Sequence, residues 1–185
     1  MSNKKVISMH EYYPEKEENV LIDTNVLIRQ FFPTYFEANN DIDEIFKRLR
    51  NAKSTILLSS VQISEFINRY IRIQFNYYKG IKGDNGLDFK TDYRSTEDYS
   101  KHMDNILDIL TTEVLPICTC INDKFNEMDS SRLYNYGFSY DFNDALIAEI
   151  ARLYNATLIT NDHDFLNYSL SGKIVTNNSL LLAVH

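Results

Sequence analysis

Cysteine is nearly absent from this chain of 185 residues: Cys118 and Cys120 are the only two. With one residue between them they are too close for an ordinary disulfide, and no Cys/His set stands at zinc-binding spacing. Neither cross-links nor structural zinc are therefore expected to hold the fold. Cys118, in Leu115-Pro116-Ile117-Cys118, reads as a small buried hydrophobe in a strand rather than a nucleophile. Long hydrophobic runs are missing too. No apolar stretch approaches the roughly 20 residues that a membrane helix requires. Lys4 and Lys5 lead into polar His10-Glu11-Tyr12-Tyr13-Pro14-Glu15, not into a signal-peptide core. The expectation is a cytoplasmic protein with no membrane contact. No Gly-x-Gly-x-x-Gly or Walker loop follows any candidate strand, which excludes the common nucleotide-binding sheets. His10, His102, His163 and His185 show neither ligand spacing nor a serine partner for a triad.

Positive charge is also in deficit, with 19 Lys and Arg against 26 Asp and Glu and a net charge of −7. That balance argues at first against a polyanionic partner. The argument is weak, because acids gathered around bound cations have their local field reversed. The basic residues cluster, moreover, as Lys47, Arg48, Arg50 and Lys53 and again as Arg69, Arg72, Lys79 and Lys82. Solvated helix faces and a polyanion-binding surface are both compatible with that clustering.

What is present is a globular composition, 44% hydrophobic, at a length that suits one domain with a real core. Residues 1–18 read as an N-terminal extension or a short edge element, and 19–185 as a single domain. Val20–Ile22 is a short apolar strand, followed by a helix from Asn25 to Phe32 that Pro33 stops. Ile42, Ile45, Phe46 and Leu49 recur at helical spacing and predict a helix over about 40–51. Ser54–Ser59 is a buried strand by composition, and a long helix runs from Val61 to about Tyr78. Lys79–Thr91 holds three of the five glycines and is expected to be a loop. Further helices are expected over Thr96–Thr112, 121–135 and Asp141–Tyr154, with short strands at Pro116–Cys118, Thr157–Thr160 and Lys173–Thr176. Strands separated by helices, without hairpin signals, mean an α/β fold with a mainly parallel sheet. The middle of the chain looks like an elaboration on that sheet, with an insert around 76–100.

Four carboxylates stand where such a sheet binds ligands, at the carboxyl ends of its strands. Asp23 ends the first strand, Asp162 lies just beyond the strand at 157–160, and Glu65 is in the first turns of the helix that leaves 54–59. Asp144 heads an apolar stripe, with Ile147, Ala148 and Ala151 at i+3, i+4 and i+7, so its side chain should point to the core rim. Each acid alone has a bland account as a turn residue, a helix cap or a solvated side chain. Convergence changes the weighing. Two carboxylates about 4 Å apart repel by about 4 kcal/mol at an effective dielectric near 20. Four at one edge need a cation, and hard divalent ions such as Mg²⁺ or Mn²⁺ want oxygen ligands. Ions so held activate water and stabilise a phosphodiester leaving oxygen. A phosphatase reading of Asp23-Thr24-Asn25 fails, because that chemistry wants a second Asp where Asn25 stands.

The same residues resemble a family. Leu21-Ile22-Asp23-Thr24-Asn25-Val26-Leu27-Ile28 looks like the opening motif of PIN (PilT N-terminus) domain nucleases, and Ser59-Ser60-Val61-Gln62-Ile63-Ser64-Glu65-Phe66 like the second. Asp144-Ala145-Leu146-Ile147-Ala148 and Leu158-Ile159-Thr160-Asn161-Asp162-His163-Asp164-Phe165 resemble the third and fourth. The resemblance implies a three-layer fold, a small, mainly parallel twisted sheet flanked by helices with a helical insertion in the middle. It implies a Mg²⁺- or Mn²⁺-dependent endoribonuclease in which Asp23, Glu65, Asp144 and Asp162 bind the metal. Thr24, Asn25 and Thr160 would orient them. Asp164 is either an auxiliary ligand or the cap of a short helix, and Asp141 is equally two-sided. Bacterial members resembling this chain are often VapC-type toxins with an antitoxin partner and a homodimeric assembly. The alternative is a non-catalytic PIN-like module that binds RNA or protein. The extension and the insert, where Tyr77, Tyr78, Lys79, Lys82, Lys90, Tyr93 and Arg94 interleave rings with cations, depart from the compact toxins.

Overall fold

The computed structural model describes residues 5–32, 40–134, 142–167 and 172–183. Its strands are β1 (Lys5–Ser8), β2 (Asn19–Ile22), β3 (Thr55–Leu58), β4 (Thr119–Cys120), β5 (Thr157–Ile159) and β6 (Lys173–Thr176). They form one sheet in the order β1-β6-β5-β2-β3-β4, and every pairing is parallel. The helices are α1 (Thr24–Phe31), α2 (Asn40–Ala52), α3 (Ser60–Lys82), α4 (Glu97–Ile109), α5 (Ser130–Tyr134), α6 (Phe142–Leu153) and α7 (Ser179–Leu182).

Both faces of the sheet are covered, which is why its strands read as unbroken apolar runs. The two-residue period of a strand then divides the core. Val20, Ile22, Ile56, Leu58, Ile159 and Val175 face one side, with Val26, Ile45, Phe66, Tyr70 and Ile106 from the first four helices. Leu21, Leu57, Leu158 and Ile174 face the other, with Ala145, Ile147 and Ile150 of α6 and with Phe165. The expected three-layer α/β architecture is therefore present, and the edge element anticipated in residues 1–18 is β1.

Chain order along the sheet reverses at β2. The chain starts at the edge strand β1, moves from β2 to β3 and β4 on one side, then returns to β5 and β6 on the other, where β6 pairs with β1. The crevice above the carboxyl ends of β2 and β5 is thus a topological switch point, where open α/β sheets bind their ligands. α6 feeds the parallel strand β5 through a short link, so its first turn lies at the carboxyl ends of the strands too.

Four local expectations are corrected. α3 does not stop near Tyr78 but runs through Gly80 to Lys82. The helix ends at Gly83, whose φ of 66° is the left-handed conformation that favours glycine. The rest of the expected loop contains a π-helical turn, Phe89–Tyr93, capped by Asp88, and Phe89 and Tyr93 are buried. Pro116–Cys118 is not a strand: Leu115–Ile117 is a 3-10 turn, and pairing with β3 begins only at Thr119. Cys118 is half-buried just before β4, and burial pushes its thiol up to about 12. The helix expected over 121–135 is not present as one helix in the described residues 121–134. A 3-10 turn at Phe125–Glu127 and the short α5 replace it. Pro33 and Asp141 lie outside the described residues.

Candidate active site

Asp23 follows β2 directly, and its backbone N–H extends the ladder by donating to the Ile159 carbonyl at 2.9 Å. Its own carbonyl accepts the first α1 amides, from Val26 and Leu27, which fixes the strand-to-helix turn. The carboxylate is buried, and its Oδ2 accepts from Thr160 Oγ1 at 2.5 Å and from Asn25 Nδ2 at 2.8 Å. Burial pushes the Asp23 carboxyl up to about 6; the Thr160 hydrogen bond pulls the other way, and the charges of Glu65 and Asp162 add to the rise. Among the described residues, no Lys or Arg forms an ion pair with Asp23 or Asp162.

Glu65 is placed by the start of α3. Ser59 and Gln62 form a capping box, and Gln62 Nε2 reaches across to donate to the Ile22 carbonyl at 2.6 Å. That contact ties the head of α3 to the end of β2. Glu65, almost one turn beyond Gln62, accepts from Thr24 Oγ1 on its Oε2 at 3.2 Å and meets Arg69 at 3.7 Å on Oε1. Thr24 and Asn25, expected to orient the acids, hold Glu65 and Asp23 respectively.

Asp162 follows β5. Its N–H donates to Thr160 Oγ1 at 3.0 Å, and its Oδ1 accepts from the Asp164 N–H at 3.1 Å. It therefore caps the 3-10 turn His163–Asn167 while its charge acts on Asp23. Asp162, His163 and Asp164 bring ligand atoms within 4.8 Å of one another, with His163 Nε2 at 3.1 Å from Asp164 Oδ1. Asp164 is thus held beside Asp162. Asp144 is buried in the first turn of α6, a helix that packs against α3.

Asp23, Glu65 and Asp162, with Thr24, Asn25 and Thr160, are drawn together in this crevice by the bonds and charges above. Among the described residues, no three of the four expected acids bring ligand oxygens within 4.8 Å of one another; the tight group is the Asp162–His163–Asp164 turn. The donor set fits a hard divalent cation: carboxylate oxygens, one of them raised in pKa by burial and, to a lesser degree, by like charges.

Three residues of the frame were not anticipated as such. Ser59 and Gln62 are one pair, legible in principle as the Ser-x-x-Gln of a capping box. Asn161 is the other discovery: its N–H donates to Asn25 Oδ1 at 3.4 Å, and its Oδ1 accepts from the Asn177 N–H at 2.8 Å and from Thr176 Oγ1 at 3.3 Å. It stitches the ends of β2, β5 and β6 together, and nothing in its local sequence signals a partner 15 residues on.

A family model described as PIN domain matches residues 20–169. Among solved structures, VapBC2 from Rickettsia felis, bound to a DNA fragment from their promoter, is similar with a TM-score of 0.52 and 18% identity, over 85% of this chain and 98% of that one. FitAcB from Neisseria gonorrhoeae gives a TM-score of 0.49 and 16% identity, over 86% and 97%. PAE2754 from Pyrobaculum aerophilum gives 0.47 and 16%, over 99% and 96%. No curated protein matches the sequence.

Proposed function

Since the chain belongs to the PIN-domain family, we propose that it is a metal-dependent endoribonuclease whose centre is the crevice between β2 and β5. The observation that carries this reading is Asp23, a buried carboxylate at the switch point, lifted to about 6 by burial and by neighbouring acids. A group so destabilised as an anion is poised for a cation. Asp23, Glu65, Asp144 and Asp162 would hold Mg²⁺ or Mn²⁺, with Asp164 beside them. The bound ion would polarise a phosphoryl oxygen and lower the pKa of a coordinated water at neutral pH.

The chain's own residues supply orientation. Thr160 and Asn25 fix the Asp23 Oδ2, so the carboxylate presents a set geometry, and Thr24 does the same for Glu65 Oε2. A substrate phosphodiester would enter a crevice framed by Asn161 and the start of α3. The substrate class is single-stranded RNA, cut in the cytoplasm, and the chain is read as the toxin of a toxin–antitoxin pair, with an antitoxin partner and a homodimer as its assemblies. The likeness to VapBC2 shows the fold alone.

Purified protein incubated with total RNA and Mn²⁺ tests it. Cleavage that EDTA abolishes is expected. A second reading, a non-catalytic module that binds RNA or protein, takes its support from the spacing of the four acids, no three of which, among the described residues, close into a tight ligand set. RNA left intact at every Mn²⁺ concentration, with binding retained, decides for that module.

A further inference from the structure

Six cations lie between residues 69 and 94 of this acidic chain: Arg69, Arg72, Lys79, Lys82, Lys90 and Arg94. Glu65, Arg69, Arg72, Asn76 and Lys79 recur along α3 at steps of four, three, four and three, so they share one helix face. The buried residues Phe66, Tyr70 and Gln74 lie on the other side of the helix. At a rise of 1.5 Å per residue the row is about 21 Å long. Its head, Glu65, raises Asp23 and accepts from Thr24. The row therefore starts in the carboxylate crevice and leads away from it.

Four of these cations lie over rings. The Arg72 guanidinium sits 4.0 Å from the centroid of Phe89, and Arg94 covers the same ring at 5.3 Å. Lys79 Nζ lies 4.8 Å from Phe75, and Lys82 Nζ 5.3 Å from Tyr78. Among the described residues, only Arg69 of the six is within ion-pair distance of a carboxylate, that of Glu65. The acids of the segment are engaged elsewhere: Asp84 accepts from the Gly86 N–H, Asp88 from those of Lys90 and Thr91, and Asp92 from that of Asp88. A salt bridge would have neutralised these cations. A ring instead fixes the cation and leaves its charge intact.

We propose that Arg69, Arg72, Lys79 and Arg94 form the track for the phosphate backbone of single-stranded RNA leading from the carboxylate crevice. The track rests on the nuclease reading for its substrate but not for its test. A row of ring-held charge, in which Arg69 alone is paired with an acid, matches a polyphosphate chain flexible enough to follow one helix face. The row offers no large apolar anchor of the kind that protein partners use, since the exposed Tyr77 and Ile81 of α3 fall at other positions.

The test reads binding without cleavage. A fluorescent single-stranded RNA of about 20 nucleotides is titrated with Asp23→Asn protein, and with wild type in EDTA, at several salt concentrations. Adding Arg72→Gln and Lys79→Gln together should weaken binding roughly tenfold at 0.1 M salt and lower the slope of log K against log salt by about 1.4, the loss of two single-strand phosphate contacts. The control Lys16→Gln with Lys53→Gln, off the row, should change neither by as much as twofold. Equal losses in the two double variants, an unchanged slope, or no RNA binding by wild type overturns the track; the first two would leave the row to an acidic protein partner. Cleavage by wild type in Mn²⁺ is scored separately. RNA bound through the row but never cut supports the track and refutes the nuclease, and RNA cut without dependence on the row does the reverse.

Discussion

Asp23 sets two properties at once, because a carboxylate raised to about 6 is a liability to folding whenever it is ionised. In the unfolded chain it titrates near 4. Below about pH 4 both states are protonated and its contribution to stability is intact. Between 4 and 6 the unfolded state loses its proton first, so stability falls, and above about 6 the loss is constant, on the order of 3 kcal/mol. Asp23→Asn should therefore melt higher than wild type at pH 8 in EDTA and alike at pH 4, while abolishing cleavage. Thermal melts at the two pH values check this, and an offset independent of pH would show that the carboxylate is not destabilised. Thr24→Val should remove the Thr24–Glu65 bond and lower cleavage by about tenfold with little change in melting; unaltered kcat would show that this bond does not orient the acid. At this scale much was legible. Asp23, Asn25 and Thr160 stand in two short motifs, and their side chains meet at the Asp23 Oδ2. Asn161 was not legible as a strut, because its partners Thr176 and Asn177 are brought to it only by the register of β6.

Among the elements, α6 depends on an ion triad. Glu149 is buried, with Arg132 Nε at 2.7 Å and Arg152 Nη2 at 2.8 Å. Burial works to raise its carboxyl, but hydrogen bonds from Arg152 and Arg132 hold it below the usual range. Its contribution is thus present at neutral pH and lost as the medium becomes acid, opposite in sign to that of Asp23. Both guanidiniums remain partly exposed, so Glu149→Ala should cost about 2 kcal/mol in a urea melt at pH 7, below the range for fully buried pairs; no change there would exclude the triad as the tether between α5 and α6. Gly83→Ala should cost about 1 kcal/mol, since a side chain is strained at its positive φ. The paired β-branched runs and the amphipathic helices could be read from the sequence because burial imposes their periods. The segment after Gly83 could not, since Phe89 and Tyr93 are buried against Phe75 and Tyr99, neighbours set by tertiary packing. Residues 121–135 failed for the converse reason. Helical propensity there finds too little core to cover, with Phe125 exposed, and the chain turns instead.

For the molecule as a whole, the parallel sheet could be anticipated from strands alternating with helices, but its order could not. The observed order puts the ends of β2 and β5 side by side, so that the charge of Asp162 acts on Asp23 across the crevice. Divalent ions that bind this folded arrangement and not the unfolded chain must stabilise it, by about 2.7 kcal/mol at a hundredfold excess over Kd. Mn²⁺ should accordingly raise the melting temperature of wild type and leave that of Asp23→Asn in place. The most direct measurement is cleavage of a single-stranded RNA by wild type and Asp23→Asn side by side, in Mn²⁺ and in EDTA. The structure predicts cutting by wild type in Mn²⁺ alone and none by the folded variant in either condition. Cutting by Asp23→Asn at the wild-type rate, or cutting by wild type that EDTA does not touch, would contradict a metal site built on Asp23.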